Sequence, residues 1–298
     1  MHQIWVGLVQ LYRTWRAVGM PCRWYNRPMH DRERLYRTEG IVLRHINLGE
    51  ADRLLTIYTR EFGKLRQIAK GVRRPQSKKA GHLDLFARVS ILAARGRELD
   101  VITQVEALDA YTGLRTDLEL VGKAAYAIEL VDQFTVDGES NSDLYALLTS
   151  TLERLCAGVD RGSVIRHFEL RLLDLVGYRP ELFRCSRCGN EIRPEDQFFS
   201  FEAGGVLCPN CGPAESNKRP LSLSALKVLR HYQRSTFEHA AQANVRSIVH
   251  KELDRLMEGF FNYLLERRLN SPGFLRRLRQ IGRNTPAVDT EAEIEKKD

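Results

Sequence analysis

Four cysteines fall as two C-x2-C pairs, Cys185-Ser-Arg-Cys188 and Cys208-Pro-Asn-Cys211. Two residues between thiolates let each pair grip one edge of a tetrahedron at metal–sulfur distances of about 2.3 Å. The intervening segment then only has to bring the two edges together. Gly189 and Gly212 directly follow the second cysteine of each pair, where a tight turn aims backbone amides at sulfur and favours positive φ. The spacing predicts one zinc ion held by Cys185, Cys188, Cys208 and Cys211. Four sulfurs leave no coordination position for water, so the ion is expected to contribute folding free energy and not hydrolysis. The competing arrangements are a thioredoxin-like redox pair or two disulfides, but neither pair opens a helix after a strand in a βαβ setting. Cys22 and Cys156 stand alone, a distribution that suits metal binding in a reducing compartment such as bacterial cytoplasm.

The other chemically suggestive cluster is electrostatic. Between Arg60 and Lys79 lie Arg60, Lys64, Arg66, Lys70, Arg73, Arg74, Lys78 and Lys79 against a single acid, Glu61. Such a run neutralises phosphates and releases their counterions, giving salt-sensitive, sequence-tolerant binding to single- or double-stranded DNA. Lys64, Arg66, Lys70, Arg73, Arg74, Lys78 and Lys79 are therefore the expected DNA contacts, with Lys64 and Arg66 on one face of a strand by two-residue periodicity. A solvated charged loop is the plainer alternative. Nearby rings are few, namely Tyr58, Phe62 and Phe86, so base stacking is expected to be secondary to phosphate contact.

These residues need elements to hold them. Short β-rich runs cover Gly40 to Ile46, Arg53 to Thr59, Gly63 to Ala69, Val89 to Ala94 and Leu99 to Ala107, with glycines at the turns. Five such strands without a long intervening helix suggest a small closed barrel of the OB type. Beyond Tyr111 the apolar spacing lengthens to the helical period. One stripe runs from Leu118 to Val131, a second from Leu144 to Leu155 and a third from Val164 to Leu175. After the cysteines, Leu223 to Tyr232 restart the pattern, and a long helix carries Val245, Ile248, Val249, Leu253, Leu256, Met257, Phe260, Phe261, Leu264 and Leu265 as bundle core.

The expected fold class is α+β: a barrel over 37–113, a helical domain in two parts over 114–184 and 213–281, and a four-cysteine zinc finger inserted at 185–212. Residues 1–36 hold all three tryptophans and no acid before Asp31, and read as a weakly ordered basic extension; 282–298 read as a disordered tail.

The chain has 298 residues and a formal charge of +8, which favours polyanionic partners. No run of eighteen apolar residues occurs, so a membrane partner is not expected. Phosphate loops ending in Gly-Lys-Ser/Thr, H-E-x-x-H and G-x-S-x-G are absent and the eight histidines are scattered, which points away from an enzyme. His167 reads as a packed residue and not a base. A zinc-containing OB-fold module of transcription or RNA metabolism is the alternative reading of the same features.

In order and content the motifs resemble the RecO family of bacterial recombination mediators. The likeness runs through Gly40-Ile-Val-Leu43, Gly49-Glu-Ala-Asp52, Thr59-Arg-Glu-Phe-Gly63-Lys64, Ala69-Lys70-Gly71-Val72-Arg73 and Gly81-His-Leu-Asp-Leu-Phe86. Phe168-Glu-Leu170 and Gly177-Tyr178-Arg-Pro180 then lead into the cysteine module. It covers roughly residues 37 to 281. The resemblance implies binding to single- and double-stranded DNA, strand annealing, and displacement of single-stranded-DNA-binding protein so that RecA can load, in concert with RecR. It places the pocket for the C-terminal tail of single-stranded-DNA-binding protein in the helical domain, where Arg166 and Arg171 are weak candidates and solvent-facing helical arginines the plainer reading.

Overall fold

The computed structural model describes residues 34–273 and 275; residues 1–33 of the basic extension, Cys22 among them, and the C-terminal tail lie outside them. Five strands, β1 (Leu35–Leu48), β2 (Asp52–Thr59), β3 (Gly63–Ala69), β4 (Arg88–Ala94) and β5 (Asp100–Asp109), close a barrel in the order β1-β2-β3-β5-β4. β1 with β2, β2 with β3 and β4 with β5 pair antiparallel, and β3 with β5 parallel. Alternate residues fill the interior, among them Val42, Leu55, Ile57, Val89, Ile91 and Ile102, as period-two burial requires. β1 starts at Leu35, two residues inside the stretch read as extension.

The helices are α1 (Leu118–Phe134), α2 (Ser142–Cys156), α3 (Arg161–Leu175), α4 (Leu223–Arg234), the short α5 (Phe237–Ala240) and α6 (Ser247–Leu265). Side chains of Asp117, Asn141, Asp160 and Ser222 accept backbone amides at the starts of α1 to α4, which fixes where each helix begins. The shared helical core also takes Ile41, Leu43, Tyr58 and Phe86 from the barrel. One outer side of the barrel is thus packed against helices.

Two apolar residues assigned to core stripes are on the surface instead: Leu118 is 62% exposed and Ile248 69%. Both sit in the first turn of their helices. Between α3 and α4 a three-stranded sheet forms from β6 (Gln197–Ser200), β7 (Gly205–Leu207) and β8 (Lys218–Leu221), in the order β7-β6-β8. The inserted module therefore extends past Gly212 to Leu221. No helix among the described residues is long and apolar enough to cross a membrane.

Candidate metal centre and nucleic-acid interface

The sulfur atoms of Cys185, Cys188, Cys208 and Cys211 all lie within 4.8 Å of one another. Sulfurs 2.3 Å from one tetrahedral ion would be about 3.8 Å apart, and the Cys188 and Cys208 Sγ atoms are 3.9 Å apart. The Cys208 amide donates to the Cys185 sulfur at 3.4 Å. Burial pushes the Cys185 thiol up, but the amides of Cys188, Cys208 and Arg187 outweigh it and bring the thiol down to about 6. The Cys211 thiol, hydrogen-bonded to Cys208, is pushed up to about 12. A divalent cation would supply the charge that four thiolates at this spacing require. The donor set and spacing fit zinc.

Gly189 has φ +74°, as a turn after Cys188 demands, and its amide donates to the Cys185 carbonyl at 2.8 Å. Gly212 does not share that conformation. Its requirement is space, because a Cβ there would lie 2.0 Å from Cδ2 of Phe198.

The basic run divides. Lys64 is only 9% exposed; its ammonium donates to the Asp132 and Thr135 carbonyls at 2.6 and 2.9 Å and pairs with the Asp132 carboxylate at 3.2 Å. It is removed from the expected DNA contacts, since α1 covers the very face that strand periodicity assigned to it. Lys79 turns inward to the carbonyls of Lys70 and Ile102 at 3.0 and 3.2 Å, which folds the segment after β3 back on itself. Arg73 donates to the Gly49 carbonyl at 3.0 Å and stays exposed, docking this segment against the β1–β2 turn. Arg66, Lys70, Arg74 and Lys78 are also exposed. Among the described residues, none of Arg66, Lys70, Arg73, Arg74 and Lys78 pairs with a carboxylate within 4 Å.

Sequence reading missed Arg44. The β1–β2 register shifts between Val42 and Arg44, with Leu43 as the extra residue. This bulge buries Leu43 with the helices and turns Arg44 outward, as a one-residue slip must. Arg44 pairs with Thr56, and Thr56 with Arg66. The two arginines therefore flank one row across three strands.

In the helical part, Arg166 is neither solvent-facing nor available to a ligand: it is 1% exposed and joined to Glu169 and to Asp254, the latter at 2.8 Å. Arg171 is half-buried and donates to the Ser235 carbonyl at 2.9 Å. His167 is packed edge-on against Phe237.

The architecture is a closed five-stranded barrel with exposed cations on one side, joined to a helical domain that carries a cluster of four thiols. Family models give the relationship: the N-terminal domain of recombination protein O matches residues 29–111 and its C-terminal domain residues 115–273. The DNA repair protein RecO of Roseiflexus sp. strain RS-1 is 39% identical over 254 residues, covering 85% of this chain and 89% of the relative. Those of Desulforamulus reducens and Pelotomaculum thermopropionicum are 35% and 36% identical, covering 85% and 86% of this chain and 99% of each relative. The chain belongs to the RecO family of DNA repair proteins.

Proposed function

We propose that this protein binds single- and double-stranded DNA on the outer face of β1 to β3 and the segment that follows, and anneals complementary strands there. Acting with RecR, it would help RecA load on strands coated by single-stranded-DNA-binding protein, whose acidic tail the helical domain would take. The observation that carries the reading is the sorting of the basic run. Lys64 is buried and paired, whereas Arg66, Lys70, Arg73, Arg74 and Lys78 stay exposed and, among the described residues, without carboxylate partners. Unpaired surface cations attract phosphate and screen the repulsion between two approaching strands.

One zinc ion on Cys185, Cys188, Cys208 and Cys211 supports this as a structural element. When bound it supplies charge neutralisation for four thiolates and no open position. The protein's own side chains do the rest without a covalent step.

The test is an annealing assay on complementary strands coated with single-stranded-DNA-binding protein, run at about 50 and about 200 mM salt. Acceleration at low salt, reduced at high salt, is expected. The variant Lys70→Glu/Arg73→Glu/Arg74→Glu should lose at least about tenfold in DNA affinity. Unchanged affinity in that variant would remove this surface from the function.

A further inference from the structure

We infer that the barrel grips nucleic acid through its sugar–phosphate backbone alone and leaves the pairing edges of the bases toward solvent. The inference rests on the barrel being the DNA-binding element, and adds the chemical class of its ligand: a phosphodiester polyanion, with or without bases.

OB-type barrels that hold single strands by their bases do so on exposed aromatic rings. Among the described residues of this barrel, two rings are buried and two, Tyr36 and Phe62, are half-buried and engaged with neighbours. Tyr58 and Phe86 are buried in the core shared with the helices. The Tyr36 hydroxyl donates to the Asp100 carboxylate at 2.5 Å and accepts from Gln67 at 2.8 Å, while the Arg95 guanidinium lies 5.0 Å from its ring centre. Phe62 packs edge-on against Tyr36 at 5.2 Å.

What the open side offers is a different chemistry. The first outward row is Arg44, Thr56 and Arg66; the next is Ile46, Leu54 and Ile68, with Val101 opposite Ile68 on β5. Adjacent strands lie about 4.8 Å apart, so two guanidinium groups flank a hydroxyl across a span of about 10 Å. Donors on a short aliphatic floor suit phosphate oxygens and deoxyribose, and the aliphatic residues present no π face on which a base can stack. Lys70 extends the cationic surface past the end of β3.

Annealing follows from this placement. A strand held by its phosphates keeps its hydrogen-bonding edges free, so a complement can pair while the first strand is still bound. A strand stacked on rings would first have to be released.

The test uses the full chain and two labelled strands of equal length, one of mixed sequence and one abasic throughout, followed by fluorescence anisotropy at low salt. The two dissociation constants should agree within about threefold and show the same salt dependence. Arg44→Glu/Arg66→Glu should weaken both strands by at least about tenfold; both residues are exposed, and an unchanged melting temperature should verify the fold. A 2-aminopurine within the mixed strand should keep its fluorescence on binding. An abasic strand bound more than about tenfold worse than the mixed one, with quenched 2-aminopurine, would overturn the inference while leaving DNA binding intact. Binding of neither strand would overturn both.

Discussion

The Lys64 ammonium on β3 donates to the main-chain carbonyl of Asp132 at 2.6 Å, and so a side chain of the barrel caps the C-terminal end of α1. The Thr135 carbonyl accepts from the same group at 2.9 Å. A cation at this end of a helix meets the negative pole of the macrodipole and carbonyls with no intrahelical partner. Lys64→Met should therefore cost about 2–4 kcal/mol in urea unfolding. DNA affinity should stay within about twofold, because one buried charge adds little counterion release. A large loss of affinity in a folded variant would return Lys64 to the interface.

Gly63, the neighbour of that lysine, approaches the helical part even more closely. It has φ +65°, and a Cβ there would lie 2.0 Å from the Glu139 carbonyl oxygen. Backbone cannot retreat as a side chain can, since the Gly138 amide is bonded to the Lys64 carbonyl at 2.9 Å. Gly63→Ala is expected to cost more than about 3 kcal/mol. Gly49 provides the control: its φ is +57° with nothing within 4 Å of a Cβ, so Gly49→Ala should cost only about 1 kcal/mol. Equal losses at the two positions would mean that conformation, and not the contact with Glu139, sets the penalty.

Much of this arrangement was legible in the sequence because local periodicity dictated it. The β3 run from Gly63 to Ala69 and the stripe starting at Leu118 match observed elements to the residue or nearly so, and the C-x2-C spacing brought four sulfurs together. The unread features depend on contacts distant in the chain. Periodicity places Lys64 and Arg66 on one side of a strand, but only tertiary packing decides that α1 covers the first and leaves the second open. Arg44 was hidden by the bulge at Leu43, which has no local signature. The sheet of β6 to β8 has strands of only three or four residues, too short for alternation to register.

Acidification should reveal opposite contributions from two neighbours on α3. Burial, aided by the Arg171 and Arg154 guanidinium groups, lowers His167 from 6.5 to about 4. The unfolded chain then takes up that proton more readily, so stability falls as pH drops from 6.5 toward 4. Glu169 runs the other way. Burial raises it from 4.5 to about 7, against the nearby Arg166 cation, so its stabilising contribution is full below 4.5 and lost as pH rises through 7. Urea unfolding across pH 4.5–7.5 should show His167→Phe gaining on the parent chain as pH falls, and Glu169→Gln gaining as pH rises. Parallel pH curves for either variant would exclude that residue as a source of pH dependence.

Removal of the proposed zinc ion should damage the finger without dismantling the fold, because the finger has a second anchor. Phe199 on β6 lies 5.2 Å from Phe260 of α6, and Phe201 stacks on the same ring at 6.1 Å. The sheet is thereby tied to the helical core by apolar packing, which needs no ion. The two cysteine turns are anchored less firmly: Cys185 is buried in the core, but Cys188 is exposed and Cys208 and Cys211 are only half-buried. Cys188→Ser, or a strong chelator, should take bound zinc from one ion per chain to none and lower the melting temperature by about 10 °C, the equivalent of a few kcal/mol in a domain of this size. Far-ultraviolet circular dichroism should retain most of the helical signal. Because the proposed DNA contacts Arg66, Lys70, Arg73 and Arg74 lie on β3 and the segment after it, away from the finger in the chain, DNA affinity should change by less than about threefold. Affinity that fell in proportion to zinc content would instead place the finger within the DNA-binding surface.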